Sequence, residues 1–168
     1  MKVSCESESI DIEDVVREYT TLVYRVAMVK MKNQADAEEI VQDTFLRLCS
    51  QVKKGITFES REHLKAWLLR VAVNRGLSVL TSAWYKKTEG MEAVKEVAVT
   101  DKEESYAYDY VMALPEKYRM AINLFYYEEL STEQIAEIMN TKPATVRSYL
   151  HRGREKLKEM METDGYVG

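Results

Sequence analysis

Residues 131–158 read Ser-Thr-Glu-Gln-Ile-Ala-Glu-Ile-Met-Asn-Thr-Lys-Pro-Ala-Thr-Val-Arg-Ser-Tyr-Leu-His-Arg-Gly-Arg-Glu-Lys-Leu-Lys. Ser131 followed by Gln134 is a capping box, which satisfies two backbone donors at the start of a short helix. Ile135, Ile138 and Met139 fall on the inward side of that helix, and Ala136 is small enough to let a second helix approach closely. Asn140 suits the left-handed conformation that ends a helix. Pro143 suits the first turn of the next one, where no amide donor is lost. The inward positions of this longer helix, Val146, Leu150, Gly153, Leu157 and Met160, are spaced 4-3-4-3. That leaves Arg147, Ser148, His151 and Arg152 on one exposed face, with Arg154 and Lys158 near its edge. A short helix, a tight turn and a longer basic helix form the geometry that inserts the second helix into the major groove. Arg can bond guanine bidentately, Ser and His can donate to bases or phosphates, and flanking cations fix the register. A plain helical hairpin with a basic surface would share the charge alone. The ordered cap, small residue, turn and basic face favour a DNA-binding helix-turn-helix. His151 by itself reads equally well as a surface residue.

Outward from this motif the pattern stays helical. Residues 11–32 place Ile12, Val15, Tyr19, Leu22, Val23 and Val26 at steps of three and four, an amphipathic helix. Asn33-Gln34 breaks it, and Asp36, with Glu39 three residues on, is expected to cap a second helix. The apolar stripe of that helix is Ala37, Ile40, Val41, Thr44, Phe45 and Leu48. Its other face shows Glu38, Glu39, Gln42, Asp43, Leu46 and Arg47, acidic with one exposed leucine. A loop over 53–59 leads to Ser60, the expected cap of a third helix over about 61–82 with Leu64, Trp67, Leu68, Val71 and Ala72 inward. Lys65, Arg70, Asn74 and Arg75 lie off that stripe. Residues 86–104 are charged and weakly periodic, and read as a linker. Beyond them Val111 and Leu114 lead to Pro115 and a helix carrying Tyr118, Ala121, Ile122 and Phe125. With no strand-like alternation of useful length, the chain reads as all-α: two small helical domains, 10–85 and 105–162, joined by the linker.

Composition narrows the function. The 168 residues carry six Gly and two Pro, which exclude collagen-like and turn-dense β architectures. The apolar runs are far shorter than the roughly 20 residues that span a bilayer, and the N-terminus turns acidic at once instead of forming a signal peptide. The expected location is the cytoplasm, with no insertion into a membrane. Cys5 and Cys49 are too isolated for a disulfide framework or a zinc site, and no metal or cofactor is expected. Two His, no Gly-rich phosphate loop and no paired catalytic constellation argue against an enzyme.

The net charge of −4 argues, alone, against nucleic acid, but it is unevenly spread. Residues 51–90 hold 8 Lys/Arg against 3 Asp/Glu, and residues 142–158 hold 6 against 1. The intervening 91–140 hold 4 against 11. Salt screens exposed charges beyond about 8–10 Å, so a polyanion meets each basic island and not the sum.

The motifs combine into a family likeness. Leu114-Pro115-Glu116-Lys117-Tyr118-Arg119, followed by the helix-turn-helix with Ala144-Thr145-Val146-Arg147-Ser148, resembles the promoter-reading C-terminal domain of extracytoplasmic-function sigma factors. Asp36-Ala37-Glu38-Glu39-Ile40-Val41-Gln42-Asp43-Thr44-Phe45-Leu46-Arg47-Leu48 resembles that family's polymerase-binding helix. Phe58 and then residues 63–74 resemble its −10-reading segment. Ala144 stands where Gly is usual, a helix-compatible change. Gly76 and Leu77 stand where more basic residues are common.

The resemblance implies that the protein binds core RNA polymerase and directs promoter-specific initiation. Glu39, Gln42, Asp43 and Leu46 would dock on the clamp of the largest polymerase subunit. Phe58, Lys65, Arg70 and Asn74 would serve the −10 element, Phe58 helping to form a pocket for an unstacked base. Thr145, Arg147, Ser148, His151, Arg152 and Arg154 would read the −35 element as duplex. An anti-sigma factor is a further partner common in the group, although no residue here reports one. The alternative is a stand-alone helix-turn-helix regulator binding operator DNA, which leaves the acidic helix, Phe58 and Asn74 unexplained.

Overall fold

The computed structural model describes the backbone of residues 1–86 and 102–165 and the side chains of residues 1–74 and 107–165. Two compact units divide between Val94 and Lys95. Most of the linker expected over 86–104 lies outside the described residues, as do the side chains of Arg75, Gly76 and Leu77.

In the first unit α1 (Ile12–Met31), α2 (Gln34–Lys53) and α3 (Arg61–Lys86) each pack against the other two. Val15, Val23 and Val26 of α1, Ala37, Ile40 and Leu48 of α2, and Leu64 and Leu68 of α3 are buried at the centre. Each such Val, Leu or Ile contributes about 1.5–3 kcal/mol of burial free energy. Thr44 sits within the apolar stripe because its hydroxyl donates to the Ile40 carbonyl at 2.7 Å. α1 ends at Lys32, which is left-handed at φ 56° and donates its N–H to the Met28 carbonyl. The cap of α2 is Asn33, not Asp36: Asn33 Oδ1 accepts from the Asp36 N–H at 3.1 Å. The helix thus starts three residues earlier than expected, and Asp36 falls in its first turn, where a carboxylate favours the helix dipole. Ser60 does cap α3, its Oγ accepting from the His63 N–H at 3.0 Å.

The expected absence of strands is corrected by a small sheet. β1 (Lys2–Cys5) and β2 (Glu8–Asp11) form an antiparallel hairpin, with Val3 opposite Ile10. β3 (Thr57–Phe58) lies parallel to β1 on its other side, with Ser4 opposite Thr57 and Cys5 opposite Phe58. Val3, Cys5 and Ile10 are buried while Lys2, Ser4 and Ser9 are exposed. That alternation spans only four residues per strand, too short to register as a period. The architecture is otherwise helical.

The second unit holds α4 (Lys102–Met112), α5 (Glu116–Ile122), a wide π turn (Asn123–Tyr127), α6 (Thr132–Ile138) and α7 (Pro143–Thr163). α4 begins inside the segment read as linker. Leu114, Ile122, Leu124, Ile135, Ile138 and Val146 are buried in its core. Pro115 stands at the cap of α5, one position before the first turn. Arg119 is only 6% exposed, and its Nη1 donates to the Leu114 carbonyl at 3.0 Å. Burial lowers its pKa, opposed by the Glu116 carboxylate. The Leu-Pro-Glu-Lys-Tyr-Arg run is therefore a structural corner: an apolar plug, a cap, and an arginine that returns to bond the carbonyl before the proline.

Candidate nucleic-acid and polymerase interfaces

The helix-turn-helix is built locally, residue by residue. Ser131 Oγ accepts from the Gln134 N–H at 3.1 Å, and Gln134 Oε1 accepts from the Ser131 N–H at 2.9 Å. Asn140 adopts φ 55°, and the next amide, that of Thr141, donates to the Ala136 carbonyl at 2.8 Å. Pro143 opens α7 at its first position. Val146, Leu150 and Gly153 are buried, while Leu157 and Met160 are half-buried. Met139, expected inward, is half-buried at the end of α6.

Arg147, His151, Arg152 and Arg154 are exposed, and Thr145 and Ser148 are half-buried beside them. Their spacing spreads the six over the half of the helix away from the core, with His151 and Ser148 central and Thr145 and Arg154 at opposite edges. Two of the arginines are held by tyrosines. Arg154 Nε donates to Tyr126 Oη at 2.7 Å, with the guanidinium carbon 5.7 Å from the same ring's centroid. The Arg152 guanidinium hydrogen-bonds the Tyr118 hydroxyl and holds its pKa below the ordinary tyrosine value, helped by Lys117 and Lys156. Lys117 Nζ lies 5.2 Å from the centroid of Tyr118 and 5.8 Å from that of Tyr149. His151 Nε2 is 3.2 Å from Glu155 Oε1 on the exposed surface. Lys117, Tyr118, Tyr126 and Tyr149 were not distinguishable as site residues by spacing, because they reach α7 from elsewhere in the unit or, for Tyr149, sit between its faces.

On α2, Glu39, Gln42, Asp43 and Leu46 follow at steps of three and four along one face. Gln42 is exposed, Glu39 and Asp43 are half-buried, and Leu46 is 66% exposed. An apolar side chain so open, with polar neighbours, suits an anchor for a partner.

The −10 candidates do not all come together. Arg70 and Asn74 are exposed, one turn apart on α3. Lys65 is half-buried and lies about 140° around the helix from Arg70. Phe58 is corrected from a loop residue to a strand residue. It is 2% exposed, and its ring packs edge-on against His63 at 5.5 Å and Trp67 at 5.8 Å. So buried, its face is closed to a base in this structure. The exposed members of that segment are Thr57, Glu59 and Ser60. No helix among the described residues is long and apolar enough to cross a membrane.

An acidic polar helix with an apolar anchor in one unit, and a basic helix-turn-helix in the other, define a two-domain DNA-binding protein with a protein partner. Residues 15–85 match the sigma-70 region 2 model, and residues 106–157 match the sigma-70 region 4 model. The chain is 29% identical to the ECF RNA polymerase sigma factor SigW of Bacillus subtilis (strain 168), over 88% of this chain and 87% of that one. It is 30% identical to the ECF RNA polymerase sigma factor SigE of Mycolicibacterium smegmatis, over 89% of this chain and 61% of that one. Among solved structures, the sigma factor RpoE of Bartonella quintana, crystallised with the anti-sigma factor NepR, superposes with a TM-score of 0.72. That likeness covers 92% of this chain and 98% of that one at 21% identity. The chain belongs to the sigma-70 family of RNA polymerase sigma factors, in the extracytoplasmic-function group. As a sigma factor it binds core RNA polymerase and directs promoter-specific transcription initiation.

Proposed function

We propose that α7 enters the major groove of the −35 element, with Arg147, Ser148, His151 and Arg152 facing base edges and Thr145 and Arg154 on flanking phosphates. The observation that carries this is the exposed basic face of α7 directly after the capped turn at Asn140. Arg147 and Arg152 are the residues whose fork geometry suits bidentate bonding to guanine. Tyr118 and Tyr126 orient Arg152 and Arg154, which lowers the rotamer entropy each loses on binding. In the first unit, Glu39, Gln42, Asp43 and Leu46 dock on a basic surface of the polymerase clamp, charge steering the encounter and Leu46 anchoring it. Arg70 and Asn74 line the path of the opened strand at the −10 element. Phe58 serves this segment by supporting it from beneath.

The protein acts in the cytoplasm, as a transcription factor without catalytic groups of its own. An anti-sigma factor covering one of these surfaces is a partner that the complex of RpoE with NepR makes natural. A reconstituted run-off assay tests the assignment: core polymerase with this protein should initiate at promoters selected from a randomised −35/−10 library. Core enzyme that gains no sequence preference would overturn it.

A further inference from the structure

The residues just before the exposed face of α3 are held by a part of the chain that precedes the matched region 2 segment. That segment begins at residue 15, after the β1–β2 hairpin. The hairpin nevertheless reaches across to residues 57–61. β1 pairs with β3, and the Glu6 N–H donates to the Phe58 carbonyl at 3.0 Å. The Glu59 N–H donates to His63 Nδ1 at 3.0 Å, and Ser60 caps the helix. Arg61, the first residue of α3, then closes the arrangement. Its Nε and Nη2 donate to the two carboxylate oxygens of Glu8 at 2.6 and 3.3 Å, and its Nη1 donates to Glu18 Oε2 at 2.7 Å. One guanidinium thus joins β2, α1 and the start of α3. All three side chains are nearly half exposed, so the triad adds little to global stability. What a bidentate fork does supply is direction, because it fixes the plane of the guanidinium as well as its position.

We propose that the hairpin, locked by the Glu8–Arg61–Glu18 triad, is a positioning element that sets residues 57–61 for base selection at the −10 element, with Arg61 as the positioning residue. This rests on the reading of α3 as the −10 helix. Phe58 has no free face, so base contacts from this segment fall to Thr57, Glu59 and Ser60. Their placement depends on backbone pairing to β1 and on the triad at either end. A segment free to shift would accept wrong bases more readily, because discrimination requires donors and acceptors held in place before the base arrives.

The test uses the full chain in reconstituted holoenzyme on a promoter selected from a randomised library. The readout is the ratio of run-off rates on the parent promoter and on variants carrying single −10 substitutions. Because a smaller folded fraction scales both rates equally, the ratio responds to selection and not to folding. Arg61→Ala and Glu8→Gln should each lower this ratio about fivefold, the scale of one lost exposed ion pair. Discrimination at the −35 element should stay unchanged. The exchanged variant E8R/R61E combined with Glu18→Gln restores one carboxylate–guanidinium pair between β2 and α3, leaves no second carboxylate against it, and should recover part of the ratio. If Arg61→Ala keeps the full ratio while Arg70→Ala or Asn74→Ala loses it, α3 reads the −10 element without the triad and the proposal is wrong. If all of these variants keep the ratio, the −10 reading of α3 fails, and the proposal fails with it.

Discussion

Gly153 of α7 and Ile122 of α5 approach so closely that a methyl group on the glycine would press on the isoleucine side chain. A Cβ built on the glycine would lie 3.0 Å from Ile122 Cγ1 and 3.2 Å from its Cδ1, with Tyr118 Cβ at 3.5 Å. α7 is therefore seated on α5 through a backbone contact, and the bearing of its basic face depends on that closeness. Ile122 is itself buried, so it would have to yield by a few tenths of an ångström against packed neighbours. Gly153→Ala gains about 1 kcal/mol of helix propensity and meets overpacking of about 1–3 kcal/mol, so the net effect is destabilising. Urea unfolding should show a lower midpoint for Gly153→Ala, and Gly153→Leu should fail to form the second unit. A midpoint raised by alanine would mean that Ile122 yields to the added methyl group and that helix propensity dominates.

Tyr118→Phe separates the orientation of Arg152 from its presence. Losing the hydroxyl removes the bond to the guanidinium while leaving the ring in the core, so the fold should persist. Affinity for a −35 duplex, measured by fluorescence anisotropy with the holoenzyme, should fall about two- to fivefold, below the effect of Arg152→Ala, for which one base contact is worth roughly 1–3 kcal/mol. Equal losses in the two variants would place Tyr118 itself on the DNA.

Arg147→Ala should weaken −35-dependent initiation by a similar roughly 1–3 kcal/mol and relax preference at one base pair, with no effect on core binding. Salt titration distinguishes a base reader from a phosphate contact, since loss of one phosphate contact lowers the log–log salt slope by about 0.9. A uniform loss across all sequences with that change of slope would reassign Arg147 to the backbone.

Leu46→Ala should leave stability within about 0.5 kcal/mol, because the side chain is already in solvent. It should nonetheless weaken binding to core polymerase by more than about 1 kcal/mol if the leucine is an anchor. Pull-down or surface-binding affinity equal to that of the parent would remove α2 from the interface.

The Glu8–Arg61 pair carries a pH signature. The hydrogen bond from Arg61 holds the Glu8 carboxyl below its ordinary value. A depressed carboxylate contributes stability above its unfolded value of about 4.3, and that contribution disappears as pH falls through the folded value. The difference in urea midpoint between the parent and Glu8→Gln should therefore be constant near neutrality and shrink below about pH 4.3. A difference that grows as pH falls would contradict the sign.

Most helices were legible because their cores repeat at three and four residues over several turns, as along Val15 to Val26 and Val146 to Met160. The helix-turn-helix was legible in detail because its determinants are local: Ser131 with Gln134, Asn140 in its left-handed turn, Pro143 at a helix start. What escaped was either too short or too distant. The hairpin strands are four residues each, and β1 meets β3 across more than fifty residues of chain. Phe58 packs on His63 and Trp67 and is buried, so an aromatic that read as a base-stacking surface is a core residue. Asn33 and Asp36 are both good caps, and only the backbone at Asn33, extended at φ −143°, distinguishes them. The tyrosines that hold Arg152 and Arg154 belong mainly to elements before α6, where no spacing rule links them to α7.

The wide turn at Asn123–Tyr127 carries the tyrosine that holds Arg154. The Glu128 N–H reaches back five residues to the Asn123 carbonyl at 3.2 Å, so the turn holds one residue more than an α-helical turn would. Such an expansion is what a single-residue insertion leaves behind when neither helix end can move. Deleting one residue here would close it to ordinary α geometry with both ends kept in place, and would turn side chains within it by about 100°. Tyr126 would then turn away from Arg154. The expanded turn therefore sets which way Tyr126 faces, and with it the hold on Arg154.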